Sequence, residues 1–436
     1  MESGLLRKNI LILSSPNPNK TAGIVAKSIY EELKLNSNNH VSMIVKEWDE
    51  YDDKNIIPIN SFYKSKYLSF LNKIRYKLIQ LGLLNNKTIL TEEKYSVQDY
   101  YQTNTIYSTK KILGKIDFKP DVVLVLFMQN FISYKNLYEI NNKTNGKIYL
   151  YLMDMAPLTG ACHYAWNCKN YIDECGNCPA LISNDKNDQS RINLKFKKKY
   201  IDKTNIEILL CSDYTKKQAE ISSIFKNKKI TKVYLPIENF PFEMIEKNKS
   251  RVFFNLPTDK KIIFFGANSI NNERKGYKYL LEALEILSRN LSQVEKDNIH
   301  LAIAGNNEQK LPKQIEFKYT YLGFLNHENL KTAFASADFF VSPSIEDSGP
   351  MMINQSLVRG TPVVSFKMGV ALDLIRSGEN GFLAELSDSL DLANCIHKLL
   401  TLNNNQLNEM NKKCIETANE YCTIQKQVKE IYNLFK

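Results

Sequence analysis

The chain has 436 residues, 58 Lys and Arg against 47 Asp and Glu for a formal charge of +11, and 43% hydrophobic residues. That length exceeds one ordinary core, so two domains are the starting expectation. The mean hydropathy of −0.34, with no apolar run near the roughly 20 residues of a membrane helix, argues against a helical membrane protein. The charge calls for an anionic partner. Nucleic acid is set aside, because no zinc finger, RNA-recognition signature or continuous basic patch with interleaved stacking aromatics occurs.

Residues 9–14 (NILILS) read as a short apolar strand, and residues 15–23 (SPNPNKTAG) as a turn-rich loop into a helix over 24–33. This opening suits a Rossmann-like domain, with Gly23 a candidate for close approach to a bound group. Lys8 is followed by only five apolar or small residues before Ser14 and Pro16, so no secretory leader is expected and the protein is expected in the cytoplasm. Residues 41–45 form a second strand. Residues 63–84 set Lys64, Lys66, Lys73, Arg75 and Lys77 beside Tyr67, Leu68, Phe70, Leu71, Ile74, Leu78 and Leu81 at helical spacing. Such a helix either lies on an anionic membrane surface or is an ordinary surface helix with a solvated lysine face.

Residues 121–127 (DVVLVLF) and 147–152 (KIYLYL) are near-continuous apolar runs, as in strands of a sheet covered on both faces. Just beyond, Cys162, Cys168, Cys175 and Cys178 fall within seventeen residues. Three readings stay open: a structural zinc site in which His163 could replace one thiolate, two disulfides, or packed free thiols. Cys211, Cys395, Cys414 and Cys422 are scattered and read as buried small apolar groups. Further strands are expected at 205–211 and 232–235, then a linker at 241–257 closed by Pro257.

Residues 261–266 (KIIFFG) open the second domain, and Arg274-Lys275-Gly276 leads into a helix over 277–288. Strands at 300–305 and 319–323 follow, and a helix from about Glu328. Two apolar segments, 338–342 and 362–366, flank a turn and a helix over 351–358, which makes one crossover unit of a parallel sheet. Glu346, Asp347, Ser348, Gly349 and Pro350 lie after its strand and before its helix, where ligands of such sheets collect. The loop is placed to hold an anion, and the cations Arg274 and Lys275 are placed to neutralise a diphosphate.

Glu346, Gly360-Thr361-Pro362-Val363-Val364, Gly369, Asp373, Gly378 and Gly381 resemble the C-terminal half of a family 4, group 1 type glycosyltransferase. The resemblance implies an α/β GT-B fold: two Rossmann-like domains facing across a cleft, with the last helical segment, 407–435, crossing back. On that pattern residues 1–240 are the acceptor domain, 241–257 the linker, 258–418 the nucleotide-sugar domain and 419–436 the returning helix; residues 48–115 are expected to contact the acceptor. Where the family carries a second Glu this chain has Asn354, which implies an altered ribose contact. The implied donor-binding set is Gly23, Gly266, Arg274, Lys275, Ser348, Gly349, Pro350, Met351, Met352 and Asn354, with Glu346 at the donor sugar.

Residues 153–179 (MDMAPLTGACHYAWNCKNYIDECGNCP) are similar to a subset of bacterial family members of polysaccharide assembly. Those usually have His before the Asp; Met153 stands there, leaving Asp154 and His163, together with Glu346, as the catalytic candidates. The resemblance implies retaining transfer of a sugar from a UDP- or GDP-type donor to a glycan acceptor, lipid-linked, in bacterial surface polysaccharide assembly. It implies no catalytic cofactor, zinc being structural only. Met153 and Asn354 leave open a catalytically silent scaffold, and the shared crevice a GT-B epimerase or phosphorylase.

Overall fold

The computed structural model describes residues 7–19, 22–35, 39–46, 48, 53–60, 91–237, 246–306, 311–349 and 351–436. The basic stretch 63–84, residues 241–245 of the expected linker and Pro350 lie outside them; within the rest of that linker Lys247–Phe253 is a helix. The chain divides into two units: Met1–Leu210 with Lys216–Val233 and Glu430–Lys436, and Cys211–Thr215 with Tyr234–Lys429.

The first unit is a seven-stranded parallel sheet of β1 (Asn9–Ser14), β2 (His40–Val45), β3 (Ile56–Pro58), β4 (Val122–Phe127), β5 (Lys147–Leu152), β6 (Ile206–Leu210) and β7 (Lys229–Lys232), in the order β3-β2-β1-β4-β5-β6-β7. The central strands are buried along almost their whole length because helices cover both faces, which is why they read as continuous apolar runs. Strand β7 corrects the sequence expectation of a strand over 232–235. Its sequence KITK pairs Ile230 with Ile208, while Lys229 reaches the buried Glu207 at 3.1 Å. A charged strand of this kind suits a sheet edge and carries no apolar run. Helix Tyr134–Thr144 begins with a capping box between Ser133 and Asn136. The chain's end belongs to this unit: the Tyr149 hydroxyl donates to the Leu434 carbonyl, and its ring lies 5.0 Å from Phe435.

The second unit is a six-stranded parallel sheet of β8 (Lys261–Ser269), β9 (Ile299–Asn306), β10 (Lys318–Gly323), β11 (Phe339–Ser342), β12 (Val363–Phe366) and β13 (Gly381–Ala384), in the order β10-β9-β8-β11-β12-β13. The expected single segment over 407–435 is two helices, Asn404–Tyr421 and Ile424–Leu434. Among the described residues no helix is long and apolar enough to cross a membrane.

In each sheet the strand order reverses once, between β1 and β4 and between β8 and β11. Helices on either side of such a reversal diverge, and the crevice beyond the carboxyl ends of the two strands is where doubly wound sheets bind ligands. In the second unit the residues after β8 and after β11 therefore meet.

Candidate active site

Beyond β8 a short turn, Glu273–Lys275, ends at Gly276, whose φ of +68° lets the helix Tyr277–Asn290 start at once. A Cβ at Gly276 would stand 1.7 Å from the Pro343 carbonyl oxygen, so only glycine lets the turn approach the strand-to-helix loop after β11 this closely. The contact is continued by Ile345, whose amide donates to the Arg274 carbonyl at 2.8 Å. Arg274 and Lys275 are thereby brought against Glu346 and Asp347.

The centre of the site is a residue of the anion-holding loop for which no role of its own was expected, Asp347. Asp347 Oδ2 accepts from Arg274 Nη1 and from Lys275 Nζ, each at 2.6 Å, and its Oδ1 accepts from the Gly349 amide at 3.2 Å. Burial opposes the charge on Asp347, but the Lys275 ammonium and the Arg274 guanidinium outweigh it and hold the carboxyl below its usual range. Burial also pushes the Lys275 ammonium down, against the pull of Asp347. Two cations thus share one carboxylate. Glu346 is 6% exposed; burial, with the Asp347 charge adding to it and Arg274 opposing, pushes it up to about 7. The signal that could have found Asp347 was its place beside Glu346 in a loop with two cations opposite, but a strand-order reversal has to bring positions over seventy residues apart together.

The other expected donor-side residues of this unit gather around the triad or behind it. Gly266 lies in β8, where a Cβ would meet Met352 Cε at 2.9 Å, so this methionine covers the strand. Met351 and Met352 open the helix Met351–Val358. The Ser348 carbonyl accepts from Ser212 Oγ at 2.8 Å, whereas the buried Ser348 Oγ has no partner among the described residues. Gly349 packs on Cys211, whose sulfur would be 2.9 Å from an added Cβ. Asn354, 1% exposed, donates through Nδ2 to the Leu235 carbonyl at 3.2 Å, and its Oδ1 has no partner among the described residues. Its amide is thus engaged with the backbone of its own unit.

In the first unit, Asp154 Oδ2 lies 2.9 Å from His163 Nδ1, and Asp154 Oδ1 accepts from the Ala156 amide at 2.8 Å. The pair lines a recess of about 750 Å³, its open mouth included, beyond the carboxyl ends of β4 and β5, together with Asp99, Tyr101, Tyr134 and Met153. Beneath it is Lys197, 1% exposed, donating to the carbonyls of Ala156 (2.6 Å) and Thr159 (2.7 Å) with its ammonium 5.3 Å from the Tyr134 ring. Burial pushes this lysine down to about 8, against the opposing effect of the nearby thiols and carboxylates. Lysine at a helix position among KKK runs gave no sign that one of them is a core residue. Gly23 also belongs to this unit, and a Cβ there would stand 1.9 Å from the Asn17 carbonyl oxygen. Packing against its own loop accounts for that glycine, so the structure gives no support to grouping it with the donor-side residues.

The four clustered cysteines line one small cavity with Tyr171 and Ser190, and all are free thiols. Among the described residues no three His, Cys, Asp or Glu side chains are grouped so as to hold a metal ion, which gives the zinc reading no geometric support. Burial pushes the Cys162 and Cys175 thiols up to about 12. None of the four is bonded to another, and they pack as free thiols.

Residues 246–421 match the family model "Glycosyl transferases group 1". Residues 246–421 therefore form a group 1 glycosyltransferase domain. An uncharacterized glycosyltransferase of Methanocaldococcus jannaschii is 27% identical over 175 residues, 37% of this chain and 43% of that protein. The matched stretch spans less than half the length of the curated relatives. Two solved structures share the fold: sucrose-phosphate synthase from Thermosynechococcus elongatus (TM-score 0.64, 14% identity, 98% of both chains) and Anabaena Alr3699/HepE in complex with UDP and glucose (TM-score 0.58, 13% identity, 98% and 99% of the chains). The two Rossmann-like units are those of the GT-B fold, as the family resemblance implied.

Proposed function

We propose that this group 1 glycosyltransferase moves a hexose-type sugar from a nucleoside-diphosphate donor to a glycan acceptor, with retention of configuration. The carrying observation is the meeting of Arg274 and Lys275 with Glu346 and Asp347 at the strand-order reversal of the family-matched domain. Departure of a nucleoside diphosphate builds negative charge on the phosphates while the sugar ring becomes positive. Arg274 and Lys275 supply the cations for the first, and Glu346 the polar contact for the donor sugar, with Ser348, Gly349, Met351 and Met352 around it. Water must be kept from the reacting bond, which the burial of this loop favours. In the first unit, the Asp154–His163 pair and its recess are assigned to the acceptor side. Asp154 fixes the imidazole through Nδ1, an arrangement suited to orienting a hydroxyl at the other ring nitrogen.

A lipid-linked glycan of a bacterial surface polysaccharide is the acceptor class that the similarity of residues 153–179 supports. Met153 and Asn354 favour the second reading, a catalytically silent scaffold of the same fold. The test is calorimetric titration with UDP, GDP and ADP of the wild type and Lys275→Ala, followed by turnover with the matching sugar nucleotide. UDP heads the panel because the Anabaena protein of the same fold is described in complex with it. Binding of one nucleotide, weakened at least about tenfold in the variant, supports the reading. Wild-type binding without turnover of any sugar nucleotide favours the scaffold, and equal binding by Lys275→Ala refutes the phosphate role of that lysine.

A further inference from the structure

Asp347 stands in the place where a phosphate would be expected. Its one carboxylate oxygen is shared at 2.6 Å by both cations of the site, its second oxygen is turned to the Gly349 amide, and the side chain is 9% exposed. Arg274 and Lys275 are themselves only 18% and 20% exposed, so their charges are directed into the loop rather than spread in solvent. Counted together, the triad carries one net positive charge, and ionised Glu346 beside it would cancel that. A diphosphate approaching this cluster meets two cations that already have an anion.

We infer that Asp347 is an internal counter-ion that competes with the donor's diphosphate for Arg274 and Lys275, and so sets a ceiling on how tightly the nucleoside diphosphate product is held. The inference rests on the reading of Arg274 and Lys275 as the phosphate site. Its physical basis is that a charge-assisted hydrogen bond is short, strong and of limited multiplicity at each donor atom. A phosphate oxygen reaching Arg274 Nη1 or Lys275 Nζ must share the donor with Asp347 or displace it. Without an anionic ligand the carboxylate keeps two neighbouring cations from repelling each other in a poorly solvated loop. With the ligand bound, the same carboxylate is a like charge against the phosphates and favours their departure. Two requirements of a turnover cycle, a stable empty site and a product that leaves, then fall on one residue.

The isosteric Asp347→Asn removes this charge and keeps the shape. The protein is titrated calorimetrically with UDP, GDP and inorganic pyrophosphate in parallel with the wild type, and circular dichroism establishes that the variant is folded. Asp347→Ala serves as the second variant, which cannot replace the carboxylate by an amide contact. The expected result is tighter binding of the nucleoside diphosphate in both variants, by about tenfold or more for one removed like charge near the phosphates. Pyrophosphate should gain as well, since the effect acts on phosphate charge and not on the base. Equal or weaker binding in both variants, with measurable wild-type binding, overturns the inference: Asp347 would then align the cations without competing. Absence of binding by wild type and variants alike overturns the phosphate-site reading itself.

Discussion

Glu346 is a buried carboxyl pushed up to about 7, from an ordinary value of 4.5, by burial and by the charge of Asp347, with Arg274 opposing. The folded protein therefore holds this proton more tightly than the unfolded chain does. Its contribution to stability is fully present below pH 4.5, declines as the pH rises, and is lost once the pH passes about 7. At about 1.4 kcal/mol per pH unit, ionised Glu346 disfavours the fold by about 3 kcal/mol above that range. The variant Glu346→Gln has the same shape and no proton to lose. Its stability relative to the wild type should thus rise by about 2.5 kcal/mol between about pH 5 and about pH 8. Both tryptophans, Trp48 and Trp166, belong to the first unit, so their fluorescence reports that unit and denaturant unfolding of the second must be followed by far-ultraviolet circular dichroism. A stability difference that stays flat across this pH range, or turns against the variant at the upper end, would show that Glu346 is not held protonated by its surroundings.

Lys197→Met should destabilise the first unit by about 2 kcal/mol, because it removes the shared donor of the buried Ala156 and Thr159 carbonyls while sparing the volume; tryptophan fluorescence during urea unfolding measures it, and an unchanged midpoint would refute the buried role. Freshly purified, reduced protein should contain no stoichiometric zinc and should keep its unfolding temperature after dialysis against a chelator. In the same folded protein Cys168, the half-buried member of the cluster, should be the first of the four to react with a thiol reagent, while Cys162 and Cys175 stay protonated and react slowly; rapid modification of all four would contradict their placement.

The parts of the fold that could be read from the sequence are those in which local chemistry and final environment coincide. Strands such as NILILS and KIYLYL are buried on both faces and announce themselves as apolar runs, and the helix Met351–Val358 begins where the Gly/Pro-punctuated loop ends. Strand β3, Ile56–Pro58, is too short for a pattern to appear, and β7 hides its single apolar pairing residue among charges. Helix Asn404–Tyr421 and helix Ile424–Leu434 share one continuous periodic pattern, so the break at Cys422 and Thr423 was invisible. The candidate residues Arg274, Lys275 and Glu346 were legible because residue type and place, cations at a helix start and an acid after a strand, carry meaning one by one.

What the sequence determined by itself is therefore the alternation of strands and helices, the family of the second unit, and the individual cations and carboxylates available to a site. Which of these meet was decided by the tertiary structure. The reversal of strand order between β8 and β11 joins Asp347 to Arg274 and Lys275, and the packing of helix Gln189–Ile201 on the loop after β5 turns one lysine of a charged run into a core donor. The same packing leaves four closely spaced cysteines lining a cavity as thiols without a metal-binding arrangement. Spacing along a chain limits how near two groups can come, whereas charge pairing, burial and ligand geometry depend on distances that only the assembled sheet and its covering helices set.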